Sequence, residues 1–487
     1  MTSGALKSVD SKRNLCYTDI TKEKSRLSGG GTECMMKENQ ISLCVDREYE
    51  CDVLVAGGGV SGFAAAVSAA RCGAKTILIE SGGFLGGTAT KGFVGPFMTC
   101  YDAKGETQII RGLFSELVER LERVGGCVPY TACRGGDSFS GYRTAGHIGV
   151  TPFDGEALKR VTEEMCLEAG VRLLYHTAVI GCATETNRVT HVYAADAGNI
   201  LSIQAHTFID TTGSAVLAAR AGAETMRGND DGILQTASTF FKITGVDKAA
   251  LDAYMAEHTD MRSRFFMDVI AAGQADGSFP CGTQKLRIFE NPDGETWTVN
   301  MAQVDDQLNE LDGESVTDAE IMQRQQILQI VAFLKKHIAP LRNIRLLSTA
   351  SDIGVRESRR IVGRTVMTRE DILNARKFDD AIAVCANSID IHQKKGVSYS
   401  AHTEESYTIP LSSLISVNIE NLLTAGKSLS ADRYAFAAVR VMPPCVAMGQ
   451  AAGITAALAA KKRIAVRDVP YAEVKEHLLC GGAYLGE

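Results

Sequence analysis

Three glycines stand at the spacing Gly57-x-Gly59-x-x-Gly62, with Ala66 one helical turn on and a carboxylate, Glu80, 18 positions after Gly62. Residues of these types at this spacing can hold a dinucleotide. Gly57 allows a tight turn, Gly59 lets backbone approach a pyrophosphate, and Gly62 with Ala66 lets a helix pack close to a strand. The helix then offers free N–H groups and the positive end of its dipole to the phosphates. Glu80 can accept hydrogen bonds from both hydroxyls of an adenosine ribose, and it would repel a 2′-phosphate. The competing reading is a plain βαβ core with glycine turns.

Other chemistry-bearing residues lie far along the chain. The stretch AVRVMPPCVAMGQAAG (438–453) sets Arg440 before Met442, Pro443 and Pro444, followed by Gly449 and Gly453. Proline suits a first helical turn, whose N–H groups lack helical partners. A cation before such a turn can stabilise developing negative charge. GVRESRR supplies Arg356, Glu357, Arg359 and Arg360, and SIDIHQKKG supplies Asp390 and His392. His402, Tyr407, Arg433 and Tyr434 come next. Paired arginines can grip a carboxylate, and a His or Tyr can take a proton. Arg356, His392 and Arg433 are the expected substrate residues. The competing reading for each is a solvated or structural ion pair.

These residues need elements to position them. Asp52–Ala56 reads as a buried strand, Ser61–Cys72 as a small-residue helix and Thr76–Glu80 as a second strand, together a βαβ unit. Residues 153–185 read as a helix stopped at Gly170, then one or two strands. Residues 206–224 read as strand, tight turn and helix, with Asp210, Thr211, Thr212 and Gly213 at the turn. The segment 317–340 reads as an amphipathic core helix, capped by Thr317 and Glu320 and closed by Pro340. Residues 1–39 are polar and read as a disordered tail.

Composition narrows the class. The 487 residues are 45% hydrophobic, enough for more than one ordinary domain. A net charge of −7 with no basic stripe argues against nucleic acid. No apolar run approaches the ~18 residues of a membrane span. The fourteen cysteines are scattered, with no Cys-x-x-Cys pair and no iron–sulfur spacing. No zinc or other metal set is expected. With no secretory signal legible, a reducing, cytoplasmic compartment is expected.

The glycine loop alone fits NAD or FAD. Three stretches favour FAD: GGFLGGTAT directly after Glu80, FIDTTG at 208–213, and ENLLTAGKSL at 420–429. Together with GVRESRRIVGRTVMTREDIL and the 438–453 stretch, they resemble the FAD-dependent oxidoreductases of the glutathione-reductase-like flavoprotein superfamily. The likeness is to the group related to the flavoprotein component of heterodisulfide reductase, over about residues 50–470. It implies a Rossmann-like FAD domain, a parallel sheet with a β-meander, assembled from 40–100, 150–230 and 405–487. A substrate domain would be inserted from 101–149 and 231–404. It implies that Gly57, Gly59, Gly62 and Glu80 hold the ADP half of a non-covalent FAD. Gly86, Gly87 and Thr88 would pass the pyrophosphate and ribityl chain, Val179 would meet adenine through its backbone, and Gly213, Gly426, Met442 and Pro443 would complete the cradle. Hydride would pass between a small organic substrate and the flavin N5, with Arg440 and the following helix stabilising the reduced ring. The family often has a His where this chain has Arg433. No second glycine fingerprint marks a built-in NADH domain, so electrons would leave to oxygen, a quinone or a protein. The alternative is an electron-transfer component of a larger redox complex.

Overall fold

A computed structural model describes residues 44–132, 149–229, 231–304, 308–392, 399–401, 403 and 405–486. The expected tail at 1–39 and His402 lie outside the described residues. The chain opens with β1 (Arg47–Ala56), α1 (Val60–Arg71) and β2 (Thr76–Ile79). After α2 (Leu113–Arg123) and α3 (Gly155–Glu168) come β3 (Arg172–Leu174), β4 (Thr177–Glu185), β5 (Arg188–Asp196), β6 (Asn199–Asp210) and α4 (Val216–Arg220). The middle carries β7 (Thr225–Met226), β8 (Phe241–Thr244), α5 (Lys248–Glu257), α6 (Met261–Arg264), α7 (Met267–Ala275), β9 (Ile288–Glu290), β10 (Thr296–Val299), α8 (Gly313–His337), β11 (Arg345–Thr349) and β12 (Arg360–Ile361). The return adds α9 (Arg369–Leu373), β13 (Ala381–Cys385), β14 (Ile389–Ile391), β15 (Tyr399–Ala401), β16 (Tyr407–Pro410), β17 (Leu422–Thr424), α10 (Arg433–Val439), α11 (Met442–Lys462) and α12 (Tyr471–Cys480).

The main sheet runs β3-β2-β1-β6-β5-β4, with β17 on the C-terminal part of β6. Strands β3, β2, β1, β6 and β17 are parallel; β4, β5 and β6 form an antiparallel meander. The expected α/β architecture is therefore present: a parallel sheet with a β-meander. Strand β1 reads as a continuous apolar run because Val53, Leu54, Val55 and Ala56 are buried on both faces, as parallel strands require.

Helices α1 and α11 explain the glycines of the late stretch. A Cβ on Gly449 would overlap the Ser61 carbonyl, and one on Gly453 the Ala65 carbonyl. The two helices thus touch backbone to backbone, with Ala64, Ala65, Ala451 and Ala452 buried in the seam. Pro443 and Pro444 stand in the first turn of α11, where they cost no helical hydrogen bond. Helix α10 ends at Arg440 and α11 leaves at 95° to it, so Arg440 occupies the corner.

A second core lies in the middle of the chain. Phe241, Ile243, Trp297 and Val299 of the sheet β11-β8-β10-β9 pack with Ile327, Ile330, Phe333 and Leu334 of α8. Helix α8 starts one turn before the expected cap: Asp312 accepts from the Glu314 N–H and seeds the helix at Gly313. Thr317 is then interior, its hydroxyl donating to the Gly313 carbonyl at 2.6 Å. Glu320, expected as the capping partner, accepts from the Ile353 N–H at 2.7 Å instead. Leu113, Phe114 and Leu117 of α2 join the core of α1 and α11, as do Ile382 and Val384 of β13. Among the described residues no single helix is long and apolar enough to cross a membrane.

Candidate active site

Strands β2, β1, β6 and β17 end side by side, and their C-terminal ends carry Glu80, Gly57, Thr211 and Ala425 along one edge of the sheet. A cleft of about 430 Å³ runs over that edge. It sits where β1 has β2 on one side and β6 on the other, the crevice in which open parallel sheets bind ligands.

The backbone at the mouth of α1 requires glycine. Gly57 has φ +103°, and a Cβ there would stand 2.6 Å from the Thr211 carbonyl. Gly62 lies under the Gly57 carbonyl with no room for a side chain. Gly59 differs: a Cβ there would meet nothing within 4 Å, so its backbone borders open cleft. Gly59 is also the N-cap of α1 and supplies no side-chain acceptor, which leaves the first-turn N–H groups for another partner. Helix α11 begins at the same cleft, through Met442 and Cys445, again without a side-chain cap.

Glu80 is 6% exposed. Its carboxylate accepts from the Gly58 N–H at 2.7 Å, the Gly82 N–H at 2.7 Å and Lys91 Nζ at 2.6 Å. Burial alone would raise its pKa, but Lys91 and the two N–H donors outweigh that and hold it below the ordinary carboxylate value. The Ser81 hydroxyl adds a fourth donor, to Oε1 at 3.2 Å, whereas Oε2 carries only the Gly58 N–H and so keeps an acceptor position. Lys91 was not anticipated from the sequence; its place four residues after Gly87 was the available cue.

Gly57, Gly59, Glu80, Gly87, Thr88, Val179, Gly213, Met442 and Arg440 line the cleft. Gly62, Gly86, Gly426 and Pro443 stand behind it as packing positions. Gly426, φ +74°, abuts the Ser61 side chain, and Gly86, φ +102°, abuts Thr90. Lys427, also missed, lines the cleft and donates to the Val355 carbonyl at 2.8 Å; burial and then Arg440 lower its pKa to about 8. Asp210 is fully buried and serves the turn, accepting from Thr212 N at 2.9 Å and Ala218 N at 2.8 Å.

The expected substrate residues divide. Arg440 donates from Nη2 to the Asp390 carbonyl at 3.2 Å, and His392 Nε2 lies 2.9 Å from Asp390 Oδ2. Arg356 Nη1 donates to the Thr236 carbonyl at 2.5 Å and Ser238 Oγ at 2.9 Å. Burial, then Arg440 and Arg287, push the Arg356 pKa down to about 9. Burial also takes His392 down to about 4, so its ring is neutral at pH 7. The hydrogen bond from His392 and the charges of Arg440 and Arg356 hold Asp390 ionised against its own desolvation. Arg433 meets none of these side chains directly and faces a buried carboxylate instead. Its Nε lies 3.3 Å from Glu357, a fully buried carboxylate that Arg360 also meets at 2.7 Å. Glu357 also accepts from the Gln235 N–H at 3.1 Å, and it holds Arg433 in the interior.

Among the described residues no cluster of three or more His, Cys, Asp or Glu side chains could hold a metal ion. The open backbone at Gly59, the two uncapped helix starts and the spare Glu80 acceptor fit an FAD laid along the strand ends. Residues 52–478 match the model of a family described as FAD dependent oxidoreductase. The chain belongs to that family. It is therefore an FAD-dependent oxidoreductase enzyme, and its cofactor is FAD. Among curated proteins none matches by sequence. Among solved structures, it is similar to a geranylgeranyl bacteriochlorophyll reductase-like protein of Thermoplasma acidophilum at 13% identity, covering 90% of this chain and 85% of that one, TM-score 0.44. The p-nitrophenol 4-monooxygenase of Pseudomonas putida DLL-E4 aligns at 11% identity over 91% and 90% of the chains, TM-score 0.44. The L-proline dehydrogenase of P. horikoshii aligns at 13% identity over 87% and 96%, TM-score 0.41.

Proposed function

We propose that this enzyme passes a hydride between a small organic substrate and N5 of a non-covalently held flavin. The observation that carries this reading is that Arg440 and the uncapped start of α11 share one cleft with Gly59 and Glu80. FAD, when bound, supplies the two-electron redox chemistry. The chain's part is to bind and to tune. Gly57, Gly59 and the start of α1 take the pyrophosphate, Glu80 the ribose and the Val179 backbone the adenine. Arg440 and the start of α11 stabilise negative charge at the other end. Substrate enters between the cleft and the inserted unit, near Arg356 and His392.

Within the family, the motifs quoted above support a closer kinship with the heterodisulfide-reductase-related group of the glutathione-reductase-like superfamily. A separate acceptor, oxygen, a quinone or a protein, takes the electrons. The buried free thiols of Cys51, Cys166, Cys182, Cys385 and Cys445 support a reducing, cytoplasmic setting. The test is an anaerobic screen of acids, sugars and amines for bleaching of the flavin bands. Bleaching by a metabolite alone supports the reading; reduction only by a partner protein favours the electron-transfer alternative.

A further inference from the structure

Beside Arg440 the cleft adjoins a group of polar residues from four separate stretches of chain. Gln235 is 3% exposed and Thr236 is 1% exposed. Gln235 Oε1 accepts from Arg440 Nη2 at 3.5 Å and from the His392 N–H at 3.4 Å. The Thr236 N–H donates to the His392 carbonyl at 3.3 Å, and the Thr236 carbonyl receives Arg356. Arg356, Arg440, Gln235, Thr236, Asp390 and His392 thus form one hydrogen-bonded set.

The set is incomplete in a consistent way. Gln235 Nε2, Arg440 Nε and Thr236 Oγ1 are buried and have no hydrogen-bond partner among the described residues. The two nitrogens can only donate, and the hydroxyl can donate. A buried donor left unmade costs about 1–3 kcal/mol, so a ligand that brings acceptors repairs more than one deficit at once. Charge points the same way. Arg440 and Arg287 both act on Arg356, with Lys285 next to Arg287; Asp390 acts on all four cations, and Glu357 on Arg440 as well. Glu357 is already engaged by Arg360 and Arg433. Excess positive charge out of water is stabilised by an anion that bonds in a planar, two-oxygen fashion.

We propose that this set is the receptor for an organic carboxylate, with Arg440, Arg356 and Gln235 holding the two oxygens beside the His392–Asp390 pair. The inference rests on the hydride-transfer reading and names its substrate class. His392 donates from Nε2 to Asp390, which leaves Nδ1 with its lone pair. A hydroxyl on the carbon next to the carboxylate can pass its proton there, so a 2-hydroxy acid is the fitting form. Arg440 belongs to both this set and the cofactor cleft, which puts the ligand against the redox site.

The experiment titrates the FAD-loaded enzyme anaerobically with glycolate, lactate, malate and succinate, with their amides and with inorganic phosphate, following the flavin spectrum. At least one carboxylate should give a saturable change, and its amide should bind about tenfold more weakly or worse, about 1.4 kcal/mol. Arg356→Gln should raise the carboxylate Kd about tenfold with bound FAD unaltered. Gln235→Glu, which sets a negative charge in the receptor, should abolish binding while the flavin spectrum is kept. Equal affinity for acid and amide, a response to phosphate alone, or unchanged Kd in both variants would overturn the proposal. Failure of every compound to reduce the flavin, with carboxylate binding intact, would instead overturn the hydride-transfer reading and leave the receptor standing.

Discussion

Arg440 Nη2 donates to the backbone carbonyl of Asp390 at 3.2 Å, across 50 positions of sequence. This one bond joins the corner between α10 and α11 to strand β14, and so joins the end of the cleft to the residues proposed to face substrate. Arg440 is thereby held by the protein before any ligand arrives, which spares the ordering cost of a free arginine on binding.

Gly449 is tested by substitution. Gly449→Ala drives a methyl into the Ser61 carbonyl and the Ala64 side chain, and backbone there has nowhere to move. Overpacking of this kind costs about 1–3 kcal/mol. Chemical denaturation should show that loss, and a wild-type midpoint in the variant would mean the two helices do not meet as described.

Glu80→Ala removes an acceptor from the ribose end of the cleft and leaves Lys91 without its carboxylate. A hydrogen bond to a charged group contributes about 1.5–3 kcal/mol, so the FAD Kd should rise about tenfold or more. Fluorescence titration of the apoprotein with FAD measures it. An unchanged Kd would place the ribose elsewhere.

Arg433 is expected to act on stability. Arg433→Met takes one of two cations from the fully buried Glu357 and should cost about 3 kcal/mol in denaturation, with little change in FAD affinity. Wild-type stability together with lost turnover would return Arg433 to the substrate side.

His392 sets a pH dependence. Its folded pKa, about 4, lies below the ordinary 6.5 because burial disfavours the charged ring, with Arg356 and Arg287 adding to this and Asp390 opposing it. Below pH 6.5 the unfolded chain binds a proton that the folded chain refuses, so stability falls as pH drops from 6.5 towards 4. The full effect is on the order of 3 kcal/mol. Denaturation midpoints over that range should fall more steeply for wild type than for His392→Gln; parallel curves would mean His392 titrates normally.

The local signals were the legible ones. Gly57, Gly59, Gly62 and Glu80 lie within one βαβ unit, whose geometry is fixed by neighbours in sequence. The role of Gly449 and Gly453 was legible too, since a helix of small residues needs a partner. The start of α8 was misplaced because Asp312 and Thr317 are both good caps, and their order in the helix depends on tertiary packing. Lys91 and Lys427 carry no motif, and their partners Glu80 and the Val355 carbonyl lie 11 and 72 positions away. Gln235 and Thr236 carry no motif; they matter through His392 and Arg356, which lie 157 and 120 positions away. The buried partner of Arg433 was not legible for the same reason, because Glu357 meets it only in the folded chain.

The most direct measurement is the flavin midpoint potential of the wild type and of Arg440→Ala at pH 7. A fixed cation at a helix start is worth about 1–2 kcal/mol of stabilisation to a negative ring, or roughly 20–40 mV for two electrons. The potential should fall by that amount in the variant, with FAD still bound and the fold intact. Equal potentials in the two proteins would contradict the assignment of Arg440 and the start of α11 to the redox end of the cleft.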